Sequence, residues 1–347
     1  MGETMRTFTL SVLAMIFALA VSARAEETVT VVDYGGSWQA SESKALFQPI
    51  AKKLGINLRE DSLQTIADVR LQAQSGQPTW DVVALGIGEC VAAAKEGLFE
   101  PIDYTVVTNA SVFTPDYHAK YYTGGTVWAS FVLAWNKDKY KDHPPANWAD
   151  YFDTKSFSGA RAAYNAPRFM LEAALLADGV PKDRIYPMDL DRAFAKLRAF
   201  KKDVMVWYAS FGQAIDLVNN GEADMVPVLD ARIVDAIAKG AHWDFTFDQG
   251  IINGGCAAVV KGAPNKAAAM RVVNEMIDPV LQANLTNYFA YGPMNPKVYD
   301  TGLIKPEQAR RLNSYPDNMA RQLVLDAQWW GDHREEVQAR WDAMRKE

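Results

Sequence analysis

The sequence predicts an α/β protein built from two lobes, and three observations support this fold class. Predicted strands and helices alternate in the first part of the chain, a pattern that is typical of an open, mostly parallel sheet. The chain has 347 residues, more than the roughly 100 to 200 residues of one ordinary domain. A late strand, Cys256 to Val260, follows Gly250, Gly254 and Gly255, which predicts that the chain returns to an earlier sheet through a tightly packed crossing.

The first residues have the pattern of a secretory signal peptide. Arg6 precedes the apolar run Leu10 to Val21, and a small-x-small cleavage site ends at Ala25. The apolar run is shorter than the roughly 20 residues that span a bilayer, so a retained membrane helix is less favoured. We therefore expect residues 1–25 to be removed, the mature chain to start at Glu26, and the protein to lie in the periplasm.

Composition disfavours several classes of function. The formal net charge of −6 argues against a nucleic-acid partner, because phosphates require a basic protein face. The four histidines and two cysteines are scattered without metal-ligand spacing, so we expect no metal and no cofactor. The sequence also lacks a Gly-x-Ser-x-Gly, Walker or dinucleotide-binding motif, so an enzyme is the less favoured alternative.

The turn after the first predicted strand is a candidate part of a binding site. The strand Thr28 to Val32 is followed by a Gly-Gly-Ser turn and a helix that begins near Gln39. Such a turn leaves backbone N–H groups free for an anionic or carbonyl oxygen of a ligand. The alternative is an ordinary turn in which Ser37 caps the helix. Gly36, Ser37 and Trp38 are therefore candidate ligand-binding residues.

Four further segments share an ordered pattern with one protein family. An Asp-led strand, a loop and a helix occupy Asp81 to Phe99, and Leu133 to Lys137 ends a later strand. His143 to Phe152 contains the turn Pro-x-x-Trp-x-Asp, and Tyr291 to Pro296 contains a Gly-Pro turn. In this order the segments resemble the extracellular solute-binding proteins of ABC importers, and within them the spermidine/putrescine-binding group. The resemblance covers nearly all of residues 28–345.

This resemblance implies the periplasmic binding protein fold of type II, in which a hinge joins two open α/β sheets and a ligand cleft lies between the lobes. It implies a first lobe from residues 26–133 and 254–300, and a second lobe from residues 134–253 and 301–347 with the C-terminal helices. It also implies a small-molecule ligand and a partner, the ABC transporter permease at the inner membrane. We expect the protein to be a monomer and to bind no nucleic acid.

The side chains that would hold a polyamine are mostly replaced in this chain. The replacements at the matching positions are Gly36, Gly88, Phe169, Leu229, Asn253 and Gly255. A dication needs facing carboxylates and aromatic faces. Two arginines near these positions, Arg168 and Arg232, suit a carboxylate instead, although a structural or surface role is the alternative for each.

Acidic residues near the same positions suit an amine, so the predicted ligand is a small amino-carboxylate of the γ-aminobutyrate or opine kind. Polyamine binding in the same transport role is the alternative. The predicted ligand-binding residues are Gly36, Ser37, Trp38, Glu89, Arg168, Asp230, Arg232, Asn253 and Trp330.

Two cysteines, Cys90 and Cys256, would enter an oxidising compartment in which a disulfide persists. The resemblance places both near strand ends of the first lobe, which makes a bridge one alternative. Two buried, unpaired thiols are the favoured alternative, since cysteine is often simply buried.

Overall fold

The structure, a computed structural model, describes residues 27–347, and the predicted signal peptide lies outside this range. The described strands form one mixed sheet of ten strands. They are β1 (Thr28–Asp33), β2 (Asn57–Ser62), β3 (Val82–Gly86), β4 (Thr123–Asn136), β5 (Arg161–Tyr164), β6 (Val204–Tyr208), β7 (Met225–Leu229), β8 (Trp243–Val259), β9 (Gly292–Pro293) and β10 (Leu323–Val324). Their order is β2-β1-β3-β8-β4-β7-β5-β6, with β9 beside β4 and β10 beside β8.

Helices flank this sheet. They are α1 (Gly36–Glu42), α2 (Gln48–Leu54), α3 (Ile66–Gln74), α4 (Ile87–Lys95), α5 (Trp148–Phe152), α6 (Pro167–Ala177), α7 (Leu190–Phe200), α8 (Phe211–Asn219), α9 (Asp230–Ala238), α10 (Lys266–Met276), α11 (Pro279–Leu285), α12 (Pro306–Ala309), α13 (Pro316–Arg321) and α14 (Ala327–Lys346). A π-helical turn, Ser43–Phe47, joins α1 to α2. Within residues 27–347, no helix is long and apolar enough to cross a membrane.

The two longest strands, β4 and β8, connect the two lobes. They are antiparallel, and their pairing runs from Thr123 opposite Ala257 to Asn136 opposite Trp243. The C-terminal half of β8 also pairs with β3, which continues the sheet to β1 and β2. The C-terminal half of β4 pairs with β7, which continues the sheet to β5 and β6. The predicted pair of α/β lobes is therefore built on two shared strands.

Strand pairing refines the lobe boundary on β4. Val127 and Trp128 pair with β9 in the first lobe, whereas Phe131 already pairs with Leu229 of β7 in the second. We therefore propose that the chain crosses between Trp128 and Phe131, slightly before the boundary after Leu133 that the sequence suggested.

The C-terminal helix α14 contacts both lobes. Asp332 near its start forms an ion pair with Lys95 of α4, and Arg340 in its second half forms one with Asp191 of α7. We therefore propose that residues 301–347 bridge the lobes rather than belonging to the second lobe alone.

A buried hydrogen-bond network holds the crossing in place. The Ser130 hydroxyl donates to Gln322 Oε1, and Gln322 Nε2 donates to the Asn313 carbonyl oxygen at 2.8 Å. Asn313 in turn donates to the Trp128 carbonyl oxygen at 2.8 Å and accepts from the Gly292 amide at 3.0 Å. These three polar side chains are almost completely buried, so each depends on its partners. The network ties β4 to β9 and to the C-terminal segment.

Cys90 of α4 and Cys256 of β8 form a disulfide, with Cα atoms 6.5 Å apart. The favoured expectation of two unpaired thiols is therefore wrong. Both residues are buried, as expected, but the sequence could not show that α4 packs beside β8 at this point. The bridge fixes α4 to the strand that joins the lobes.

Replacing Cys90 and Cys256 together with serine is expected to lower the free energy of unfolding by about 2 to 5 kcal/mol, because a disulfide restricts the unfolded chain most when the closed loop is long. This loop has a sequence separation of 166 residues. Urea unfolding of wild type and variant measures the change. Equal stability, or two reactive thiols in denatured, unreduced wild-type protein, would contradict it.

Candidate functional site

A cleft of about 850 Å³ opens between the lobes. Its first-lobe walls come from the turn after β1, from α1, from the end of β3 and from residues 288–291. Its second-lobe wall comes from the end of β7 and from α9, and β4 and β8 form the floor. In open α/β sheets, ligands bind beyond the carboxyl ends of the strands, which is where β1, β3 and β7 end here.

One face of α1 lines the cleft. Ser37 and Ser41 are four residues apart, as are Trp38 and Glu42, and all four side chains line the cavity. The residue that caps α1 is Gly35, which offers no side-chain hydrogen bond. Ser37 therefore lies inside the helix rather than capping it, and its hydroxyl remains available to a ligand.

The turn that leads into α1 requires glycine. Gly35 and Gly36 have φ of 76° and 66°, a backbone conformation that side chains with a Cβ rarely adopt. Gly36 does not itself line the cavity, but this turn sets where α1 begins beside the cleft.

Two carboxyl groups lie in the cleft wall, one from Asp33 at the end of β1 and one from Glu42 at the end of α1. Asp33 accepts from the Trp38 indole N–H at 2.7 Å, and Glu42 accepts from the Thr126 hydroxyl at 2.7 Å. Both carboxyl groups are buried. Burial and the charge of Asp33 raise the pKa of Glu42 well above its ordinary value. Glu42 Oε2 accepts no hydrogen bond, and once protonated it can donate to Asp33, so the pair carries a single negative charge rather than two.

Four aromatic side chains form the first-lobe side of the cleft, and we call them the aromatic wall: Trp38, Tyr288, Phe289 and Tyr291. The rings of Trp38 and Phe289 stack with centroids 4.3 Å apart, and Tyr291 lies edge-on to Trp38 at 5.8 Å. Tyr288 is 47 % exposed at the rim. Only Trp38 of this wall was expected from the sequence.

Arg232 faces the aromatic wall from the opposite lobe. It lies on α9 and lines the cleft, and its charge lowers the pKa of Tyr291 against the larger, opposite effect of burial. Within the described part of the chain, Arg232 has no acidic partner. The guanidinium is exposed and therefore available to an anionic group of a ligand.

Asp230 does not line the cleft, although the sequence suggested that it binds a ligand amine. It is the first residue of α9, it is buried, and its Oδ1 accepts from the Ser130 amide at 3.0 Å. The Asn313 side chain lies close enough to lower the pKa of this carboxyl, but burial has the larger effect. Burial raises the pKa of Asp230 to about 7. Asp230 therefore belongs to the buried network at the crossing, where it anchors α9 to β4.

Arg168 stands at the start of α6, where the helix is kinked. Phe169 has a φ of 74°, and such a conformation costs roughly 1 to 3 kcal/mol in a residue other than glycine. Stacking of Phe169 on Phe131, with centroids 4.9 Å apart, holds it there. A methyl group placed on Gly88 would lie 3.9 Å from Arg168 Nη1, so Arg168 reaches the N-terminus of α4 in the first lobe. No acidic side chain of residues 27–347 pairs with it.

Three other expected residues have different environments. Glu89 accepts from the Tyr34 hydroxyl and from the backbone N–H three residues before it, so it caps α4. Trp330 is buried and does not line the cleft, because its indole N–H donates to Glu172 at 2.6 Å. Asn253 lies on the cleft floor, and its Oδ1 is buried without a hydrogen-bond partner.

The structure thus brings together four of the expected residues in the cleft wall, and these are Ser37, Trp38, Arg232 and Asn253. Sequence reasoning missed part of the wall, namely Asp33, Tyr34, Ser41, Glu42, Tyr288, Phe289 and Tyr291. The four-residue spacing along α1 could have indicated Ser41 and Glu42. The aromatic run near residue 290 gave no signal, because nothing local shows that it faces α9.

Residues 45–311 match the family model described as bacterial extracellular solute-binding protein, and this match covers more than half of the chain. The chain belongs to this family. The predicted periplasmic binding protein fold and the predicted solute-binding class are therefore confirmed. The family implies a small-molecule ligand and an ABC permease as partner.

Three relatives illustrate the range of the family. The γ-aminobutyric acid-binding protein of Pseudomonas aeruginosa is 29 % identical over 340 residues, covering 96 % of this chain and 95 % of that protein. An ABC transporter substrate-binding protein from Bradyrhizobium japonicum USDA 110 has a TM-score of 0.87 at 39 % identity, covering 92 % of this chain and 99 % of that one. The PBP MotA from A. tumefaciens B6, in complex with glucopine, has a TM-score of 0.78 at 36 % identity with the same coverage. The polyamine group named from the motifs is thus only one of several within the family.

Asp230→Asn is expected to remove one component of the pH dependence of stability. The pKa of an unfolded Asp is about 3.9, and the folded value of about 7 is higher. The buried proton therefore stabilises the fold fully below the unfolded pKa, and this contribution is lost as the pH rises toward the folded pKa. The component amounts to at most about 4 kcal/mol.

Urea unfolding between about pH 4 and pH 8 measures this component as the difference between wild type and variant. The exposed Asp216→Asn is the matched control. Wild type should lose more stability than Asp230→Asn as the pH rises, and parallel curves for the two proteins would contradict the assignment.

Proposed function

We propose that the chain is the periplasmic substrate-binding component of an ABC importer, and that it captures a small amino-carboxylate of the γ-aminobutyrate or opine kind for a membrane permease. The family supports the transport role. The relatives that bind γ-aminobutyric acid and glucopine support the ligand class. The N-terminal pattern of Arg6, an apolar run and Ala25 supports export to the periplasm.

The observation that carries the ligand class is that two arginines of the second lobe have no acidic partner among residues 27–347. Arg232 faces the aromatic wall, and Arg168 faces the N-terminus of α4. The N-terminus of a helix has partial positive charge and free N–H groups. Glu89 already caps this helix end, and Arg168 approaches it without an acidic partner among residues 27–347. A ligand carboxylate at this point would bind both groups with charge-assisted hydrogen bonds.

The cleft also has acceptors for one amine. Asn253 Oδ1 lacks a partner, and the buried Asp33–Glu42 pair carries a negative charge close to the floor. Glu89 is already used as a cap of α4, and Asp230 is used at the crossing. This inventory fits one amine better than the two separated ammonium groups of a diamine.

Rotation of the lobes about β4 and β8 would enclose the ligand. Because α9 and the start of α6 move with the second lobe, closure brings Arg232 and Arg168 toward the first-lobe walls. The ligand carboxylate then becomes the bridge between the lobes. We expect a monomer to suffice, since both lobes of one chain provide the whole site.

Arg168→Ala and Arg232→Ala are each expected to weaken binding of γ-aminobutyrate by two to four decades, because removing one partner of a charge pair that closure buries costs about 3 to 5 kcal/mol. Isothermal titration of the mature protein measures the loss. Arg184→Ala is the matched control, since Arg184 is exposed and lies outside the cleft. Binding of putrescine should change little in all three variants.

Polyamine binding is the second candidate, and the aromatic wall is the observation that favours it, since aromatic faces attract cations. Tight binding of putrescine by wild type, with no binding of any carboxylate, would show that the arginines are structural and that the proposed ligand class is wrong.

A further inference from the structure

A second cavity lies beside the cleft, and we propose that it binds a doubly charged oxyanion carried on an aromatic or other apolar body, such as a phosphate monoester. We call this cavity the basic groove, after the four cationic side chains that line it: Lys137, Arg310, Arg311 and Arg321. Its volume is about 570 Å³, and small-molecule sites ordinarily have about 300 to 1,000 Å³. The inference does not depend on the proposed function, which concerns the cleft.

The groove is separated from the cleft by α9. Its walls are α9 and the first half of β8 on one side and residues 310–321 on the other. Val234 and Ala238 of α9 border both cavities, but none of the four cations of the groove lines the cleft. Likewise, Arg232 lines the cleft and does not line the groove. The two cavities therefore present different cations to a ligand.

The charge of the groove is the first argument. Its four cations are accompanied by one carboxylate, Asp244, although the chain as a whole has a net charge of −6. Among residues 27–347, Lys137, Arg310 and Arg311 have no acidic partner. These three charges are available to an anion from solution. Guanidinium groups match the oxygens of phosphate and carboxylate, and a dianion can use more of the cations than a monoanion can.

A buried side chain, Asn318, organises the cationic side of the groove. Asn318 is 5 % exposed, and its Nδ2 donates to the carbonyl oxygens of Arg310 and Leu312 at 2.9 and 2.8 Å. Its Oδ1 accepts from Arg321 Nη2 at 2.7 Å, and Asp248 accepts from Arg321 Nη1 at 3.3 Å. The backbone at Arg310 and the guanidinium of Arg321 are thus held in place, which lowers the ordering cost of binding an anion.

Aromatic side chains form the apolar side of the groove. Trp243, Phe245 and Phe247 alternate along β8 and therefore share one face of the strand, and all three line the groove. Trp243 and Phe247 are buried, whereas Phe245 is partly exposed and lies edge-on to Phe247 with ring centroids 5.2 Å apart. Inorganic phosphate would leave this surface in contact with water. An anion attached to an aromatic ring can cover it.

The strand edge in the groove favours a small molecule over an extended peptide. The first half of β8 pairs with β4, and in the described chain β10 and β3 join β8 only from Ile251 onward. An exposed edge of this kind can accept an added strand. However, the amides of Phe245 and Asp248 already donate to the side chains of Asp244 and Thr246. These local hydrogen bonds compete with the pairing that a peptide would need.

The test titrates phenyl phosphate, inorganic phosphate and phenol into the mature protein by calorimetry in a low-salt buffer free of phosphate. Phenyl phosphate should bind wild type at least tenfold more tightly than inorganic phosphate, and phenol should show no measurable binding. Arg310→Ala/Arg311→Ala should weaken phenyl phosphate at least tenfold. Arg184→Ala/Arg334→Ala is the matched control, since it removes the same charge from exposed positions outside both cavities.

Two further variants locate each part of the ligand. Phe245→Leu should weaken phenyl phosphate several-fold and leave the affinity for inorganic phosphate unchanged, because only the aromatic body contacts this side chain. Arg232→Ala should retain phenyl phosphate, and Arg310→Ala/Arg311→Ala should retain whatever affinity wild type has for γ-aminobutyrate.

Three results would overturn the inference. They are no binding of phenyl phosphate to wild type, equal affinity in wild type and Arg310→Ala/Arg311→Ala, and loss of binding in Arg232→Ala, which would place the anion in the cleft. Each of them leaves the proposed function standing, because γ-aminobutyrate is titrated separately. Failure of γ-aminobutyrate to bind, with phenyl phosphate bound as described, would count against the proposed function alone.

Discussion

The structure depends on one constraint: β4 and β8 must pair with each other across both lobes. Each lobe completes its sheet on these strands, with β3 on one side and β7 on the other. Any rotation of the lobes therefore bends the same two strands. Ser130, Asn313 and Gln322 are buried at this point and are joined by hydrogen bonds. Bending of the two strands must preserve these hydrogen bonds, because breaking them would leave buried polar groups without partners. Asp230 joins the network through the Ser130 amide, which ties the wall that carries Arg232 to the crossing.

This arrangement explains why charged groups of the region divide into two roles. Asp230 and Glu89 lie close in sequence to residues that line the cleft. However, Asp230 accepts a hydrogen bond from the Ser130 amide at the crossing, and Glu89 caps α4 and accepts from Tyr34. Among residues 27–347, neither Arg168 nor Arg232 has an acidic partner. Arg232 therefore lines the cleft as a cation without an acidic partner in the described chain, and the wall opposite it is aromatic. The charge distribution of this region follows because Asp230 and Glu89 form internal hydrogen bonds and are therefore not available to a ligand.

Sequence reasoning predicted the fold well because its signals were local. Alternating strands and helices, the Gly-Gly turn before Trp38 and the Pro-x-x-Trp turn near Trp148 each depend on neighbouring residues. The site was predicted less well because it depends on pairings across the chain. Nothing local distinguishes Asp230, which is buried against Ser130, from Arg232 two residues later, which lines the cleft. The disulfide between Cys90 and Cys256 was disfavoured for the same reason, since only the register of α4 on β8 brings the two together.

The central claim is that a ligand held between the second-lobe arginines and the first-lobe walls closes the cleft. Small-angle X-ray scattering of the mature protein, with and without a saturating amino-carboxylate that binds in titration, tests this claim most directly. The account predicts a smaller radius of gyration with ligand in wild type, and no change in Arg232→Ala at the same ligand concentration. An unchanged radius of gyration in ligand-saturated wild type would contradict it.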